Sequence, residues 1–398
     1  MINMKILALS YLFPNSLDLN YGIFVLNRLK AVNDYCDVKV INPIPWFPLH
    51  QRLNRYKDLN KIPYFETVGG IETYHPRFFI LPKVFKSLDS ISYAVAVFRI
   101  AFAIRKKFDF DLIDVHWTYP DILAAYLLSL MTGKNFLITL RGKEAFYPGE
   151  HSIRSWLVRK LLAKSEAVIA LSEELKALAC QLTKKKDLKT FVVRNGVDTD
   201  SFYYLDKLQS RQKLSLPERS PIILSVGSLI HRKGFDRIIK ALPDILKRFP
   251  QTVLFILGSK GPEGDFSKYL QKLVQENRLE KNIIFQGAVQ NQDLVHWYNA
   301  ADVFCLASRG EGSPNVLSEA LACGCPSVTT DVGSAAEILT DSAQGVVVDQ
   351  DIDAIKKGLL YVVQGDYSRE EISQNIRLYD WDWCARQVVD IYDTILNQ

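Results

Sequence analysis

Glu311 and Glu319 bracket a stretch whose residue types suit the binding of a phosphorylated ligand. The segment reads Arg309-Gly310-Glu311-Gly312-Ser313-Pro314-Asn315-Val316-Leu317-Ser318-Glu319 and ends at Gly324. It follows an apolar run, Val303 to Leu306, that reads as a strand. Ser313 is a good helix N-cap residue, Pro314 suits the first helical position, and Gly324 suits the stop. A helix starting there turns unpaired N–H groups and the positive end of its dipole toward an anion. Glu311 then stands just before the helix and Glu319 inside it. The plain alternative is one loop carboxylate and one surface carboxylate; the flanking glycines and the cap weigh against it.

A second segment, Ser225-Val226-Gly227-Ser228-Leu229-Ile230-His231-Arg232-Lys233-Gly234-Phe235, has matching chemistry. Gly227 ends an apolar strand and permits a tight turn. Arg232 and Lys233 stand just before the next helix, where cations can neutralise a departing pyrophosphate. An exposed Lys-Arg turn is the competing reading. In the first half, Asp114-Val115-His116-Trp117-Thr118-Tyr119-Pro120-Asp121 also follows a strand. Rings such as Trp117 cover the apolar faces of sugars, while His116 and Asp121 take hydroxyls. A structural histidine competes with that reading. The loop Pro14 to Gly22 lacks G-x-G-x-x-G, which argues against a nicotinamide or flavin dehydrogenase.

The elements that must position these residues alternate strand and helix through both halves, the grammar of parallel α/β architecture. Strands are predicted near 4–10, 37–41, 111–115, 135–140, 166–171 and 190–193, with helices near 21–34, 87–107, 119–132, 152–164 and 173–182. Further strands are predicted near 222–226, 252–257, 282–286, 302–306, 326–329 and 345–348. Helices near 234–248, 265–277, 291–299, 314–323, 334–339 and 351–364 alternate with them. Two Rossmann-like, doubly wound domains follow, 1–195 and 221–379, joined by a polar linker at 196–220. A last helix near 380–398 is expected to pack back on the first domain. Such sheets bind ligands beyond their strands' carboxyl ends, so a cleft between the domains is expected, closing about the linker.

Composition is compatible with this. The 398 residues exceed one compact core, 48% are apolar and 23% charged, and the net charge is +5. That balance does not mark a nucleic-acid binder, but suits anionic substrates or an anionic membrane face. The six cysteines follow no zinc or disulfide spacing and read as reduced thiols. The N-terminal apolar run reads as a first strand rather than a signal peptide, and no run is long enough to span a membrane. A cytoplasmic protein is expected, with peripheral membrane contact as an option.

Together the two second-half segments resemble glycosyltransferase family 4, whose members are retaining enzymes of the GT-B fold. Glu311 and Glu319 match the family's E-x7-E signature; Gly227, Leu229, Lys233 and Gly234 match its G-x-L-x-x-x-K-G. The resemblance implies that Lys233 binds the donor pyrophosphate, Glu311 the donor sugar hydroxyls and Glu319 the ribose. It places Gly312, Ser313 and the amides of Asn315, Val316 and Leu317 at the phosphates, and gives Gly22 a close backbone approach to them. Many members have Arg where this chain has Ser228; Arg232 is the cation available to compensate. Thr139-Leu140-Arg141-Gly142-Lys143-Glu144 aligns with the family's H-G-x-D, with Arg141 for the His and Glu144 for the Asp. The implied catalytic set is Glu311, Arg141 and Lys233, with His116, Trp117, Asp121 and Glu144 on the acceptor side.

The implied reaction moves a sugar from a UDP- or GDP-linked donor to a saccharide or lipid-linked hydroxyl, with neither cofactor nor metal. Asp109-Phe110-Asp111 and Asp351-Ile352-Asp353 read as structural. Two aromatic and cationic stretches, Pro45 to Leu53 and Arg77 to Lys86, suit a membrane interface or an apolar flap over the core. A sugar-nucleotide epimerase and a non-catalytic partner subunit are the alternative functions.

Overall fold

The structure, a computed structural model, describes residues 4–48, 53, 56–81, 89–142, 152–185, 187–261 and 263–397. It divides into two units, Met1–Asn195 with Trp381–Gln398, and Gly196–Asp380.

In the first unit the strands are β1 (Lys5–Leu9), β2 (Asp37–Ile41), β3 (Ile44–Trp46), β4 (Phe65–Val68), β5 (Ile71–Tyr74), β6 (Arg77–Phe79), β7 (Leu112–Val115), β8 (Asn135–Leu140), β9 (Ala167–Ala170) and β10 (Thr190–Val192). Eight form one sheet in the order β10-β9-β8-β7-β1-β2-β5-β4, parallel except for the β4–β5 pair. Its helices are α1 (Ile23–Asn33), α2 (Asp89–Arg105), α3 (Asp121–Thr132), α4 (Ile153–Leu162) and α5 (Glu173–Thr183). Ile6 and Ala8 of β1 enter the core on one face, Leu7 and Leu9 that on the other. Burial on both faces is why β1 reads as an unbroken apolar run.

The second unit holds β11 (Ile222–Val226), β12 (Val253–Leu257), β13 (Ile283–Gly287), β14 (Val303–Leu306), β15 (Ser327–Thr330) and β16 (Gly345–Val348), in the parallel order β13-β12-β11-β14-β15-β16. Its helices are α6 (Lys207–Lys213), α7 (Phe235–Arg248), α8 (Ser267–Glu276), α9 (Asn291–Ala300), α10 (Asn315–Ala322), α11 (Ala335–Ile338), α12 (Ile352–Gln364) and α13 (Arg369–Arg377). The last helix, α14 (Trp381–Leu396), packs on α1 in the first unit.

Residues 196–220 are not a linker; they belong to the second unit. Phe202 is buried there, and Asp206 caps α6 by accepting from the Gln209 amide at 2.8 Å. Arg211 is fully buried, bonding the carbonyls of Ala300 (2.9 Å), Pro217 (3.1 Å) and Glu218 (2.6 Å) and Asp302 Oδ2 (2.6 Å). The polar composition that suggested a linker is spent on a cap and one buried guanidinium. Removing one partner of such a pair costs about 3–5 kcal/mol.

The sequence also gave no warning of β3 to β6, α6 or α13. β3 and β6 pair in parallel as a separate ribbon, with Phe47 and Phe78 in the core and Trp46 and Phe79 exposed. The apolar flap is therefore real for part of those two stretches; 49–52 and 82–88 lie outside the described residues. The Asp-x-Asp runs have structural duties. Asp111 accepts from the Lys5 amide at 2.9 Å, and Asp351 caps α12 by accepting from the Ala354 amide at 2.8 Å.

Candidate active site

Strand order explains why distant segments meet in the second unit. The chain leaves β11 toward β12 on one side, then returns to β14 on the other. At such a switch point the loops after the two strands diverge and leave a crevice. The loop after β11 carries Arg232 and Lys233; the loop after β14 carries Ser308 to Ser313.

Glu311 is the hub. Its Oε1 accepts from Lys233 Nζ at 2.6 Å and Ser308 Oγ at 2.7 Å, and its Oε2 from Arg232 Nη1 at 3.1 Å. Burial works to raise its pKa, but Lys233, Arg232 and Ser308 outweigh it and hold the carboxyl below its ordinary range. Arg232 also bonds the Gly310 carbonyl (2.8 Å) and Glu263 (2.7 Å). Arg309 anchors the second loop, gripping Asp236 through both guanidinium ends at 2.8 and 2.7 Å. Gly234 lets the first loop pass close: its φ is +69°, and a Cβ there would stand 1.8 Å from the Ala307 carbonyl oxygen. Gly227 lies under the aliphatic stem of Lys233.

Glu319 sits one face further into α10. Burial raises its pKa to about 7, partly offset by the Tyr298 hydroxyl, which donates to it at 2.9 Å.

The helix start differs from expectation. Pro314, not Ser313, occupies the N-cap position, and no side chain caps the helix. Proline disfavours helical backbone in the residue before it, so Ser313 stays outside. The Leu317 amide donates to the Pro314 carbonyl at 3.0 Å. The Leu317 amide is thus already paired within the first turn of the helix. The Gly312 carbonyl is taken by the Ser334 amide at 3.0 Å, and a Cβ on Gly333 would reach 2.4 Å from that carbonyl oxygen. Gly333, Ser334, Ser308, Glu263 and Tyr298 support the site and escaped sequence reading. Only Ser308 gave a signal, from its place beside the glutamate loop.

In the first unit the switch point lies between β1 and β7. Gly22 is the N-cap residue of α1, with φ +74°. Arg141 follows β8, almost wholly buried, and lies over the Phe24 ring at 5.0 Å. Its Nη2 donates to His116 Nδ1 at 2.8 Å. A guanidinium only donates, so that nitrogen carries no proton and the neutral ring keeps its proton on Nε2. Nε2 stands 2.9 Å from Asp114 Oδ2, a close contact without hydrogen-bond alignment, and that oxygen accepts from the Tyr392 hydroxyl of α14. Burial lowers the His116 pKa; Asp114 partly restores it, while Arg141 and Arg28 depress it further. Arg28 is fully buried alongside, bonding the Val193 carbonyl at 3.0 Å.

Two of the acceptor-side expectations change. His116 is fully buried, so its ring supports Arg141 rather than facing a sugar. Asp121 is fully buried too, accepting from the Tyr11 amide at 2.9 Å, so it braces the loop after β1. An aromatic-rich loop presents only some of its side chains; here Trp117 is the half-exposed one. Glu144 lies outside the described residues.

Known protein families match the chain over two adjacent stretches. The family "Glycosyl transferases group 1" matches residues 206–379, and "Glycosyltransferase Family 4" matches residues 64–201. The two matches lie side by side, so the chain is similar to glycosyltransferases of this kind over most of its length. It is 31% identical to an uncharacterised glycosyltransferase of Methanocaldococcus jannaschii over 56% of this chain and 59% of that protein. The match thus spans less than two thirds of that relative. It is 26% identical to the N-acetyl-α-D-glucosaminyl L-malate synthase of Bacillus anthracis, over 73% of this chain and 76% of that one. The sucrose-phosphate synthase of Thermosynechococcus elongatus has the same fold, with a TM-score of 0.80, 20% identity and 99% of each chain covered. The chain thus has the GT-B fold, and both matched families are families of glycosyltransferases, which supports neither the epimerase nor the non-catalytic subunit.

Proposed function

We propose that this chain is a retaining glycosyltransferase that moves a sugar from a nucleoside-diphosphate sugar to a hydroxyl, in building a cell-surface polysaccharide or a glycolipid. The observation that carries the reading is the Lys233–Glu311 pair at 2.6 Å beside the start of α10. Lys233 and Arg232 supply positive charge where a leaving pyrophosphate gathers negative charge, the form of stabilisation worth most in a transition state. No divalent ion is needed in this scheme. As the bond from the anomeric carbon to the donor phosphate oxygen breaks, the acceptor oxygen bonds to that carbon on the same face. The leaving oxygen takes the acceptor's proton. Arg141 orients the sugar, and Glu311 holds its hydroxyls once the phosphate has drawn Lys233 toward itself. Glu319 takes the ribose hydroxyls. Gly22 opens the way for donor phosphate beside α1, and Trp117 offers a ring to the acceptor. The work is placed in the cytoplasm, on nucleotide sugars.

The test is a thermal-shift panel of UDP, GDP, ADP and their common sugars, with and without Mg²⁺, beside Glu319→Ala. A ligand confined to the folded state raises the melting temperature with occupancy. One nucleotide is expected to stabilise the protein equally with and without Mg²⁺, and to lose its effect in the variant. Transfer with the stabilising donor then gives the anomeric configuration by NMR. Indifference to every nucleotide overturns the reading; an inverted product overturns retention alone.

A further inference from the structure

Two buried guanidinium groups stand together in the first unit. Arg28 of α1 and Arg141 after β8 both donate to Asn195 Oδ1, each at a long 3.4 Å. Arg28 also bonds the Val193 carbonyl at 3.0 Å and Thr139 Oγ1 at 3.4 Å, and Arg141 bonds His116 Nδ1 at 2.8 Å. Every one of these partners is neutral. The Nε of each arginine is buried with no hydrogen-bond partner among the described residues. Burial and then repulsion from Arg28 hold the Arg141 pKa well below its ordinary value, and the attraction of Asp114 offsets only part of that. Among the described residues the cluster thus sets two positive charges against the one carboxylate of Asp114.

Elsewhere in this chain a buried guanidinium with a structural duty is fully matched. Arg211 meets Asp302 Oδ2 and the carbonyls of Ala300, Pro217, Glu218 and Ser220. A buried charge left short of partners destabilises the fold that holds it. The contacts of Arg141 to His116 and Asn195 require donors, not a charge, and a glutamine amide could make them. The surroundings add to the positive side. The guanidinium lies 5.0 Å over the ring of Phe24, in the first turn of α1, and α1 has neither a side-chain cap nor an acidic residue in that turn. A helix amino end carries roughly half a positive charge and favours anions. Arg28 is wholly enclosed, whereas Arg141 keeps 7% of its surface open. Of the two, Arg141 is the one a ligand can touch.

We propose that Arg141 is the receptor in the first unit for an oxyanion of the substrate, a phosphate or a carboxylate, and that this ligand supplies the partner the buried pair lacks. A guanidinium takes either group through two parallel hydrogen bonds. Arg28, out of the ligand's reach, keeps the site positive beside Asp114. The inference refines the part given to Arg141 in the proposed transfer. It rests on that reading for the identity of the substrate, not for the presence of the site.

The test is the melting temperature of the full chain in sodium chloride and, at equal ionic strength, in sodium phosphate, sodium pyrophosphate or sodium glucuronate. Phosphate salts stabilise proteins in general, so each shift is read against Arg141→Gln. Wild type is expected to gain at least about 3 °C more than the variant from the phosphates, from glucuronate, or from all three. A gain from the phosphates alone identifies a phosphate group, and one from glucuronate alone a carboxylate on a sugar ring. Arg141→Lys keeps the charge without the fork and is expected to retain part of the gain. Lys233→Ala, which removes a cation from the second unit, is expected to leave the gain at Arg141 unchanged. In chloride, Arg141→Gln is expected to melt above wild type, because an unpaired charge is gone; Arg141→Met, of similar length, guards against poor packing of the glutamine. Both uncharged variants melting below wild type in chloride would make the guanidinium structural and overturn the proposal. So would a wild type that gains no more than Arg141→Gln from any of the three anions. A nucleotide response lost in Glu319→Ala would survive either result, so the transferase reading stands or falls separately.

Discussion

A carboxylate already bonded by a lysine, an arginine and a serine has little capacity left for a sugar hydroxyl. Glu311 is in that condition, which couples its work to Lys233: what draws the lysine away releases the carboxylate. Asp121 shows the opposite electrostatics. It is fully buried with no cation beside it among the described residues, and burial raises its pKa from 3.8 to about 7, the nearby Tyr93 hydroxyl and the Tyr11 amide offsetting part of the rise. The folded state therefore holds a proton that the unfolded state releases, and stability falls as pH rises from about 4 to about 7, then levels off. Asp121→Asn keeps an acceptor for the Tyr11 amide and removes the charge. It is expected to exceed wild type by up to roughly 4 kcal/mol at pH 8, with the gap closing below pH 4. Urea melts across that range check it; a gap that ignores pH would show that Asp121 ionises normally.

The element that sets the Lys233–Glu311 and Arg232–Glu311 distances is the close crossing of the loops after β11 and β14. Gly234 makes the crossing possible, and Arg309 with Asp236 clamps it. Gly234→Ala drives a Cβ into the Ala307 carbonyl and places alanine at φ +69°, so the loop holding Arg232 and Lys233 must shift. A displacement near 1 Å at a reacting centre costs about a hundredfold in rate. A loss of at least that size in kcat/KM for nucleotide release is expected. Gly310→Ala is the control, since a Cβ there meets nothing within 4 Å. Equal losses in both variants would mean that the loops respond to any added side chain, not to this contact.

At the scale of the whole molecule, the chain crosses from the first unit to the second at Asn195 and returns at Trp381. The return gives the first unit its last helix, whose Cys384, Val388, Ile391, Tyr392 and Ile395 are buried in that unit's core. Tyr392 also reaches Asp114, behind His116 and Arg141. Removing residues 381–398 takes away one face of this core and the Tyr392 hydroxyl that donates to Asp114. Calorimetry of the truncated chain is expected to show the second unit melting near its original temperature and the first already unfolded or far less stable. An unshifted first-unit transition would mean that α14 is only an ornament on that core.

Period and punctuation in the sequence determined the parallel α/β class, most strand and helix positions, and the two loops that meet at Glu311. Apolar strands buried on both faces, glycines at the turns and an E-x7-E block are local signals, legible without neighbours. Other features depend on contacts between distant residues. The segment 196–220 looked like a linker because burial of Arg211 depends on carbonyls that other elements bring to it. His116 and Asp121 looked like sugar ligands because their residue types are the same whether they face outward or into the core. The Lys233–Glu311 contact and the proton on His116 Nε2 arise where strand order brings separate segments together. Side-chain chemistry is written locally, but direction, burial and partner are set by the tertiary structure.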